Sequence, residues 1–459
     1  MVHALAEAVT RLHGTPRAAR HTSLERQLST LALVFILFFN TSGGAFTTEG
    51  LVARVGPGLA LLMLAVVPIV WTLPETLIVA ELGSMLPEEG GYYRWVHRAF
   101  GPFWAFQNGW ATWLYSLVDM AIYPVLFNQY LQWFVPGLGA PARWAVSLAV
   151  IWGATLINLR GALPVGRVSV FSGAFILAAF GALAVFSLPA VHHVPWVPLV
   201  PPGSSLSSGV AVGLATALWN YSGWDNASTV LGETKDPSRS YPRALLFAVL
   251  TVMASYFVPL LPALGASDWT TWREGSWPAI AQHTTGAAGP FIASWIALAG
   301  LVSALALFNA LLLTYSRIPL AMAQDGLLPA ALAETDARGT PRRAVLLAAA
   351  FYSVFALFPF GQLVVADFLL YAAALFLEFG ALISLRRHAP DLRGSFRIPL
   401  GVKGVIALTV LPSLTLLVVI WLSSHDGEFA RPSLVGSVVG LAVGPVVYYA
   451  LTRRRGLDS

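Results

Sequence analysis

The stretch FFNTSGGAFTTEG, residues 38–50, interrupts an apolar segment with a run of polar residues and a pair of glycines. Residues 31–39 are almost purely aliphatic and aromatic, and the apolar sequence resumes at Leu51 and Val52. In hydrocarbon, a backbone N–H or C=O group without a partner is costly, so irregular backbone survives only where it lines a cavity. The stretch therefore predicts a discontinuous membrane helix with a ligand site at the break.

The composition of the whole chain is that of a multi-pass membrane protein. The chain has 459 residues, of which 57% are hydrophobic and 11% are charged. A soluble domain carries about a quarter charged residues, so this chain has too little polar surface to face water. It contains no cysteine, which excludes disulfides and thiolate sites. We expect no cofactor and no metal site.

Apolar runs of about 20 residues predict membrane helices. The sequence has twelve such runs, at 29–54, 57–82, 102–134, 142–158, 165–189, 207–232, 241–264, 289–316, 342–359, 363–385, 403–424 and 431–452. Cytoplasmic loops carry an excess of Lys and Arg. With the terminal segments 1–28 and 453–459 in the cytoplasm, 23 of the 27 basic residues lie on that side. We predict an all-α fold of twelve helices in the plasma (inner) membrane, with the lipid bilayer and not nucleic acid as a partner, since the cytoplasmic location of the loops explains the basic charge.

A second polar interruption occurs in the sixth run, where NYSGWDN occupies residues 220–226. Paired glycine-interrupted segments in two halves of a chain indicate a transporter built from inverted repeats. The repeats would be 29–189 and 207–385, followed by two further helices in 403–452. The alternative is that the glycines only allow close helix packing.

The two breaks would bind opposite ends of a small-molecule ligand. A half-helix starting near Phe46 presents a positive dipole that suits a carboxylate, and carbonyls near Trp219 suit an ammonium group. The substrate-binding residues predicted there are Thr41, Ser42, Gly43, Gly44, Ala45, Phe46, Asn220, Tyr221, Ser222, Gly223, Trp224 and Asp225.

Several motifs resemble those of a known transporter superfamily. They are SGGAF at 42–46, AELGSMLPEEGGYYRWV at 80–96, GWDNASTVLGETKDPSRSYPRAL at 223–245, YSRIPLAMAQDGLLP at 315–329, LPETLIVAELG at 73–83 and DMAIYPVLFNQYL at 119–131. They are similar to motifs of the amino acid–polyamine–organocation permeases, in particular the L-type amino-acid transporters and the plant-type polyamine-uptake branch. The resemblance implies a LeuT-like fold with a five-plus-five inverted repeat and discontinuous helices one and six. It also implies a central site and alternating access, with proton coupling or exchange.

Acidic residues inside membrane segments are functional candidates, because they are costly to bury. The candidates for proton coupling are Glu75, Asp119, Asp225 and Glu378. Asp225 either caps a half-helix starting near Asn226 or meets a cationic substrate or a proton.

Four residues outside the two breaks are also candidates for the substrate site. Asp119 and Tyr123, four residues apart, share one helix face. Asn309 lies in run eight, and Tyr371 in run ten is a possible gate. Asp367 is expected near the outer surface, in contact with solvent.

The sequence favours a proton-coupled amino acid permease, because run eight carries no acidic residue. The alternative is a symporter of protons and a polyamine such as putrescine or spermidine, or an exchanger of amino acids and polyamines. No HExxH, GxSxG or phosphate-binding motif is present, so we expect no enzyme. Salt bridges among five loop residues would close the inner gate, unless these are only solvated charges. They are Glu88, Glu89, Asp236, Arg239 and Arg243.

Overall fold

The computed structural model describes residues 26–203, 210–356, 363–425 and 430–453. This part of the chain is about 78% helical and contains no strand, only two isolated bridges. Nine of the described helical segments are long and apolar enough to cross a membrane. The chain is therefore an integral, multi-pass membrane protein.

The first half of the chain forms eight α-helices. They are α1 (Thr30–Thr41), α2 (Thr48–Val55), α3 (Pro57–Val67), α4 (Leu73–Met85), α5 (Gly91–Phe100), α6 (Pro102–Leu131), α7 (Ala140–Asn158) and α8 (Ala162–Ser187). A π-helical turn, Pro68–Thr72, joins α3 to α4 into one long segment. This turn begins at Pro68, which has no N–H group to donate to a regular α-helix.

The second half forms ten more. They are α9 (Val210–Trp219), α10 (Pro237–Ala266), α11 (Trp277–Thr284), α12 (Gly289–Tyr315), α13 (Arg317–Gln324), α14 (Arg342–Phe355), α15 (Leu363–His388), α16 (Val402–Leu408), α17 (Val410–His425) and α18 (Ala430–Arg453). Each of the twelve apolar runs predicted from the sequence overlaps at least one of these eighteen helices.

Both predicted interruptions are present, but the second differs from the expectation. The first run is split into α1 and α2, as predicted. After α9, the chain forms two short 3₁₀ turns, Asn226–Thr229 and Leu231–Glu233, and no α-helical second half. Polar side chains compete with the helical hydrogen bonds here, since the Thr229 hydroxyl donates to the Asn226 carbonyl at 2.8 Å.

The helices that carry the predicted site form the centre of the bundle. Helix α6 packs along α12 and α15, and α12 also packs along α8. Helix α1 lies against α8 and α10. By contrast, few residues of the apolar segments Val402–Leu422 and Leu434–Arg453 are buried. These last helices therefore present most of their apolar surface outward.

A buried arginine joins three segments at the end of the bundle where the basic loops lie. The Arg317 side chain is fully buried, and its Nε and Nη2 atoms donate to Glu233 Oε1 at 2.9 and 2.7 Å. Glu89 lies 3.4 Å from the same Nε atom. Burial raises the pKa of Glu89 well above its usual range, and the neighbouring Glu233 carboxylate adds to this shift. A proton on Glu89 leaves one buried cation paired with one buried anion.

The prediction that salt bridges among five loop residues close an inner gate is mostly wrong. Of the five, only Glu89 takes part in an ion pair in the described part of the chain, and its partner is Arg317. The other four, which are Glu88, Asp236, Arg239 and Arg243, are exposed. Sequence proximity suggested pairs within the loops, whereas Arg317 reaches Glu89 from the first residue of α13.

A second buried ion pair lies at the same end. Arg386 of α15 donates from Nε to Glu81 Oε1 of α4 at 2.7 Å. The backbone N–H of Ile398 donates to Glu81 Oε2 at 2.8 Å, which holds the loop after α15 against α4.

Replacing Arg317 with methionine leaves the Glu233 carboxylate buried without its cation. We expect a loss of about 3–5 kcal/mol of stability, measured as a lower apparent melting temperature of the purified protein in detergent. The control is Arg343→Met, which removes an exposed pair with Glu334 and is expected to cost at most about 1 kcal/mol. Equal melting temperatures for the two variants would contradict the structural role of Arg317.

Candidate functional site

The first break spans the residues between α1 and α2. Gly43, Gly44 and Thr47 have positive φ angles of 69°, 115° and 77°. Such angles are readily reached only by glycine, so Gly43 and Gly44 allow the chain to turn out of the helix. Thr47 occupies this region as a non-glycine residue, which marks local backbone strain.

Side chains from other helices satisfy the backbone at this break. Ser303 Oγ of α12 donates to the Gly43 carbonyl at 2.7 Å, and Trp277 Nε1 of α11 donates to the Ala45 carbonyl at 2.9 Å. The Ser42 hydroxyl accepts from the Gly44 N–H at 3.1 Å. The break is therefore a defined structure, stabilised by α11 and α12.

The second break is held in the same manner. The Asn220 carbonyl accepts from the Tyr256 hydroxyl at 2.6 Å, and the Tyr221 carbonyl accepts from Trp224 Nε1 at 2.7 Å. The Ser222 hydroxyl donates to the Leu218 carbonyl of α9 at 2.8 Å. The carbonyls near Trp219 that we expected to face an ammonium group thus have protein partners in this structure.

The two breaks touch each other at the centre of the bundle. The Thr47 hydroxyl donates to Asn220 Oδ1 at 3.1 Å. The Cα atom of Gly223, with a φ of +103°, packs so closely on the Asn40 carbonyl that a Cβ atom would lie 2.4 Å from the oxygen. The sequence predicted each break separately, and the fold brings them into direct contact.

A tyrosine joins two of the predicted acids beside this contact. The Tyr371 hydroxyl of α15 lies 2.5 Å from Glu75 Oε1 and 2.7 Å from Asp225 Oδ1, and it accepts from the Gly223 N–H at 2.9 Å. A tyrosine hydroxyl has one proton to donate. Both short contacts to carboxyl oxygens are hydrogen bonds only if one carboxyl group carries a proton. The cluster of Glu75, Tyr371 and Asp225 thus has the geometry of a proton-holding site.

Asp225 does not cap a helix. It precedes the 3₁₀ turn Asn226–Thr229 but makes no side-chain capping hydrogen bond to it. The capping interpretation is therefore wrong, because Asp225 points to Tyr371 instead.

The acids of this region have polar atoms without partners. Glu75 Oε2, Asp225 Oδ2 and both carboxyl oxygens of Glu378 are buried and have no hydrogen-bond partner in the described structure. None of these three residues takes part in an ion pair of the described chain. Buried carboxyl groups are stable only with protons, hydrogen bonds or a cation, so this cluster is suited to a cation or to protons.

Asp119 and Tyr123 share one face of α6, as the spacing predicted. The Asp119 carboxylate accepts from the Tyr123 hydroxyl at 2.5 Å and from the Tyr315 hydroxyl of α12 at 2.8 Å. The expected contact of Asp367 with solvent is wrong. Only 6% of its surface is exposed, because α15 packs along α6 at this point.

Two predicted residues lie in other contacts. Asn309 of α12 accepts from the Asn158 side chain of α7 at 2.9 Å, and it makes no described hydrogen bond to either break. The Phe46 ring packs edge-on against Tyr130 and Phe180, with ring centroids 4.8 and 4.9 Å apart.

Tyr115 was not singled out in the sequence. Its hydroxyl donates to Asn226 Oδ1 at 2.9 Å, and its ring packs on Tyr371. Its position four residues before Asp119, on the same face of α6, was the available indication.

The candidate residues are closed off from the surface. All of the predicted site residues are buried except Ser222, which is half-buried. In the described part of the chain, no group of three or more His, Asp or Glu side chains is arranged to hold a metal ion.

The contact between the breaks can be tested at Gly223. Alanine here meets the Asn40 carbonyl and also a positive φ angle, so we expect a clearly lower apparent melting temperature in detergent. Gly137→Ala is the matched control, because its φ is +80° and no atom lies within 4 Å of the added Cβ. The difference between the two variants measures the contact alone. Equal losses would show that the breaks do not depend on this contact.

Comparison with known proteins gives the family. Residues 27–444 match the amino acid permease family. A polyamine transporter of Oryza sativa subsp. japonica is 36% identical over 435 residues, which cover 94% of this chain and 80% of the relative. A probable polyamine transporter of Arabidopsis thaliana is 35% identical, over 94% of this chain and 86% of its own length. A branched-chain amino acid permease of Lactococcus lactis subsp. cremoris is 27% identical, over 90% and 91% of the two chains.

The match covers the two breaks, the acidic residues beside them and the helices that carry them. Members of this family and the relatives named above are transport proteins. The chain belongs to the amino acid permease family of the amino acid–polyamine–organocation superfamily, and it is a secondary transporter rather than an enzyme.

Proposed function

We propose that this permease carries a polyamine, an organic cation with two or more ammonium groups, in a process coupled to protons. The observation that carries the proposal is the group of three buried carboxyl groups, Glu75, Asp225 and Glu378, which no basic side chain of the described structure neutralises. An ammonium group at this position would supply both the missing charge and the missing hydrogen-bond donors.

The helices that carry the acidic residues of the site no longer favour an amino acid as the substrate. Helix α12 carries no acidic residue, and this absence favoured an amino acid at the sequence level. The acids at the site instead come from α4, from the break after α9 and from α15. The greater identity to the polyamine transporters than to the branched-chain amino acid permease points in the same direction.

Proton coupling follows from the charge at the Tyr371 cluster. Glu75 and Asp225 both contact the Tyr371 hydroxyl, and both contacts are hydrogen bonds only if one of the two carboxyl groups carries a proton. With a proton on one of the two carboxyl groups, an arriving ammonium group would pair with the other, so the site would hold the proton and the cation together. Release of both on the same side of the membrane would couple the two fluxes as symport.

The second candidate substrate is a zwitterionic amino acid. Its carboxylate would lie at the amino-terminal end of α2 and its ammonium group beside Asp225, since the two breaks are in contact. The relatives that are branched-chain amino acid permeases support this candidate.

The proposed architecture has twelve membrane helices in a LeuT-like five-plus-five inverted repeat. The first repeat would be 29–189, the second 207–385, and 403–452 would supply the last two helices. The two contacting breaks and their place in the first helix of each repeat support this arrangement. Both termini would lie in the cytoplasm, with the protein in the plasma membrane and the Arg317 ion pair closing the site on the inner side.

The first experiment compares substrates directly. The purified protein in liposomes, with the inside at a higher pH than the bath, is tested for uptake of labelled putrescine and of a mixture of labelled amino acids. We expect putrescine uptake that a protonophore abolishes, and little amino acid uptake. Amino acid uptake without putrescine uptake would replace the proposal with the second candidate.

Tyr371→Phe tests the shared hydroxyl group. The change removes the bridge between Glu75 and Asp225 and leaves the Gly223 N–H without its acceptor. Loss of one such hydrogen bond is worth about 1–2 kcal/mol, so we expect putrescine uptake to fall about tenfold. Tyr352→Phe is the control, because it removes a buried hydroxyl that bonds to Ser116, outside the site. Equal uptake by the two variants would argue against a role for Tyr371.

A further inference from the structure

A second pair of buried carboxyl groups lies outside the Tyr371 cluster. Asp119 of α6 and Asp367 of α15 are 5% and 6% exposed, and their carboxyl groups interact electrostatically. Asp367 Oδ1 has no hydrogen-bond partner in the described structure. Neither residue takes part in an ion pair of the described chain. Two carboxylates without a cation repel each other, so a proton or a bound cation is needed to relieve the repulsion.

The Asp119 carboxylate is held in place but keeps capacity for a further donor. Tyr123 and Tyr315 each donate one hydrogen bond, one to each oxygen. A carboxylate accepts about four hydrogen bonds in total. An ammonium group, with three donors, could therefore bind Asp119 without displacing either tyrosine, and the unpartnered Oδ1 atom of Asp367 offers a further acceptor.

The second pair is displaced from the first cluster along two helices. Asp367 precedes Tyr371 by four residues on α15, and Asp119 follows Tyr115 by four residues on α6. Four residues correspond to about 6 Å of helix axis. Glu378, whose carboxyl group interacts with those of Asp225 and Glu75, lies eleven residues after Asp367, or about 16 Å along α15.

Three tyrosine rings connect the two groups of acids. The Tyr115 ring packs edge-on against Tyr315 and against Tyr371, with ring centroids 5.5 Å apart in both cases. The Tyr315 hydroxyl contacts Asp119, and the Tyr371 hydroxyl contacts Asp225. Aromatic rings of this kind pack on methylene groups and also attract ammonium groups.

We infer that Asp119 and Asp367 form a second ammonium subsite. A polyamine binds with one ammonium group at Glu75 and Asp225, its methylene linker against Tyr115, and a further ammonium group at the second subsite. The inference rests on the proposed function, because it assumes that the first cluster binds an amine. It adds a preference for extended substrates whose ammonium groups are separated by at least one helical turn.

The test uses matched pairs of amines on the purified full-length protein. Each pair is a monoamine and an α,ω-diamine of the same carbon number, from propylamine and propanediamine to decylamine and decanediamine. Their dissociation constants are measured by calorimetry at neutral pH. We expect the diamine to bind at least tenfold more tightly than its matched monoamine once the linker is long enough, which corresponds to about 1.4 kcal/mol. This series needs no variant.

Asp367→Asn then locates the second ammonium group. We expect the variant to lose the advantage of the long diamine and to bind the monoamine within twofold of the unmodified protein. Asp391→Asn, which removes an exposed carboxylate in the loop after α15, is the control and should keep the full advantage.

The outcomes separate this inference from the proposed function. If monoamine and diamine bind equally at every length, the second subsite is excluded while amine binding at the first cluster stands. If Asp367→Asn weakens both amines equally, or neither, Asp367 does not bind the distal ammonium group. If the unmodified protein binds no amine at all, the proposed function fails, and the inference fails with it.

Discussion

The structure depends on the cost of leaving polar groups without partners in an apolar interior. Each break removes several helical hydrogen bonds, and other helices replace them. Ser303 and Trp277 donate to carbonyls of the first break, and Tyr256 donates to a carbonyl of the second. Helices α10, α11 and α12 are thereby fixed around the breaks. The position of the central helices follows from this need for partners.

The pairing of buried charged side chains differs between the centre and the end of the bundle. At the end that carries the basic loops, Arg317 and Arg386 lie against Glu233 and Glu81, so buried charges are paired within the protein. At the centre, Glu75, Asp119 and Asp225 contact tyrosine hydroxyls, and no cation from the described chain pairs with them. Internal pairing gives a fixed contact between segments, whereas carboxyl groups without a basic partner are open to protons and to cationic ligands. This contrast separates structural acids from candidate functional acids better than burial alone.

Sequence spacing was a good guide within one helix and a poor one between helices. Asp119 and Tyr123 were predicted to share one face of a helix because four residues make about one helical turn, and in the structure they form a hydrogen bond. One of the two interpretations of Asp225, as a helix cap, came from its neighbours in the chain, but its partner Tyr371 is 146 residues away. The same limit explains why the gate prediction failed, since Glu89 pairs with Arg317 rather than with the nearby loop arginines. It also explains Asp367, whose burial results from the packing of α15 on α6.

The sequence by itself determined the membrane class, the apolar segments, both helix breaks and the acids that could have a function. Hydrocarbon imposes these features locally, since each segment must be long and apolar, and each glycine break is visible in its own few residues. Only the tertiary structure decided which acids meet. Whether a carboxyl group lies next to arginine, tyrosine or another carboxyl group depends on contacts between helices far apart in the chain, and no local pattern encodes them. The tertiary structure thus separates the paired acids at the end of the bundle from the unneutralised acids at its centre.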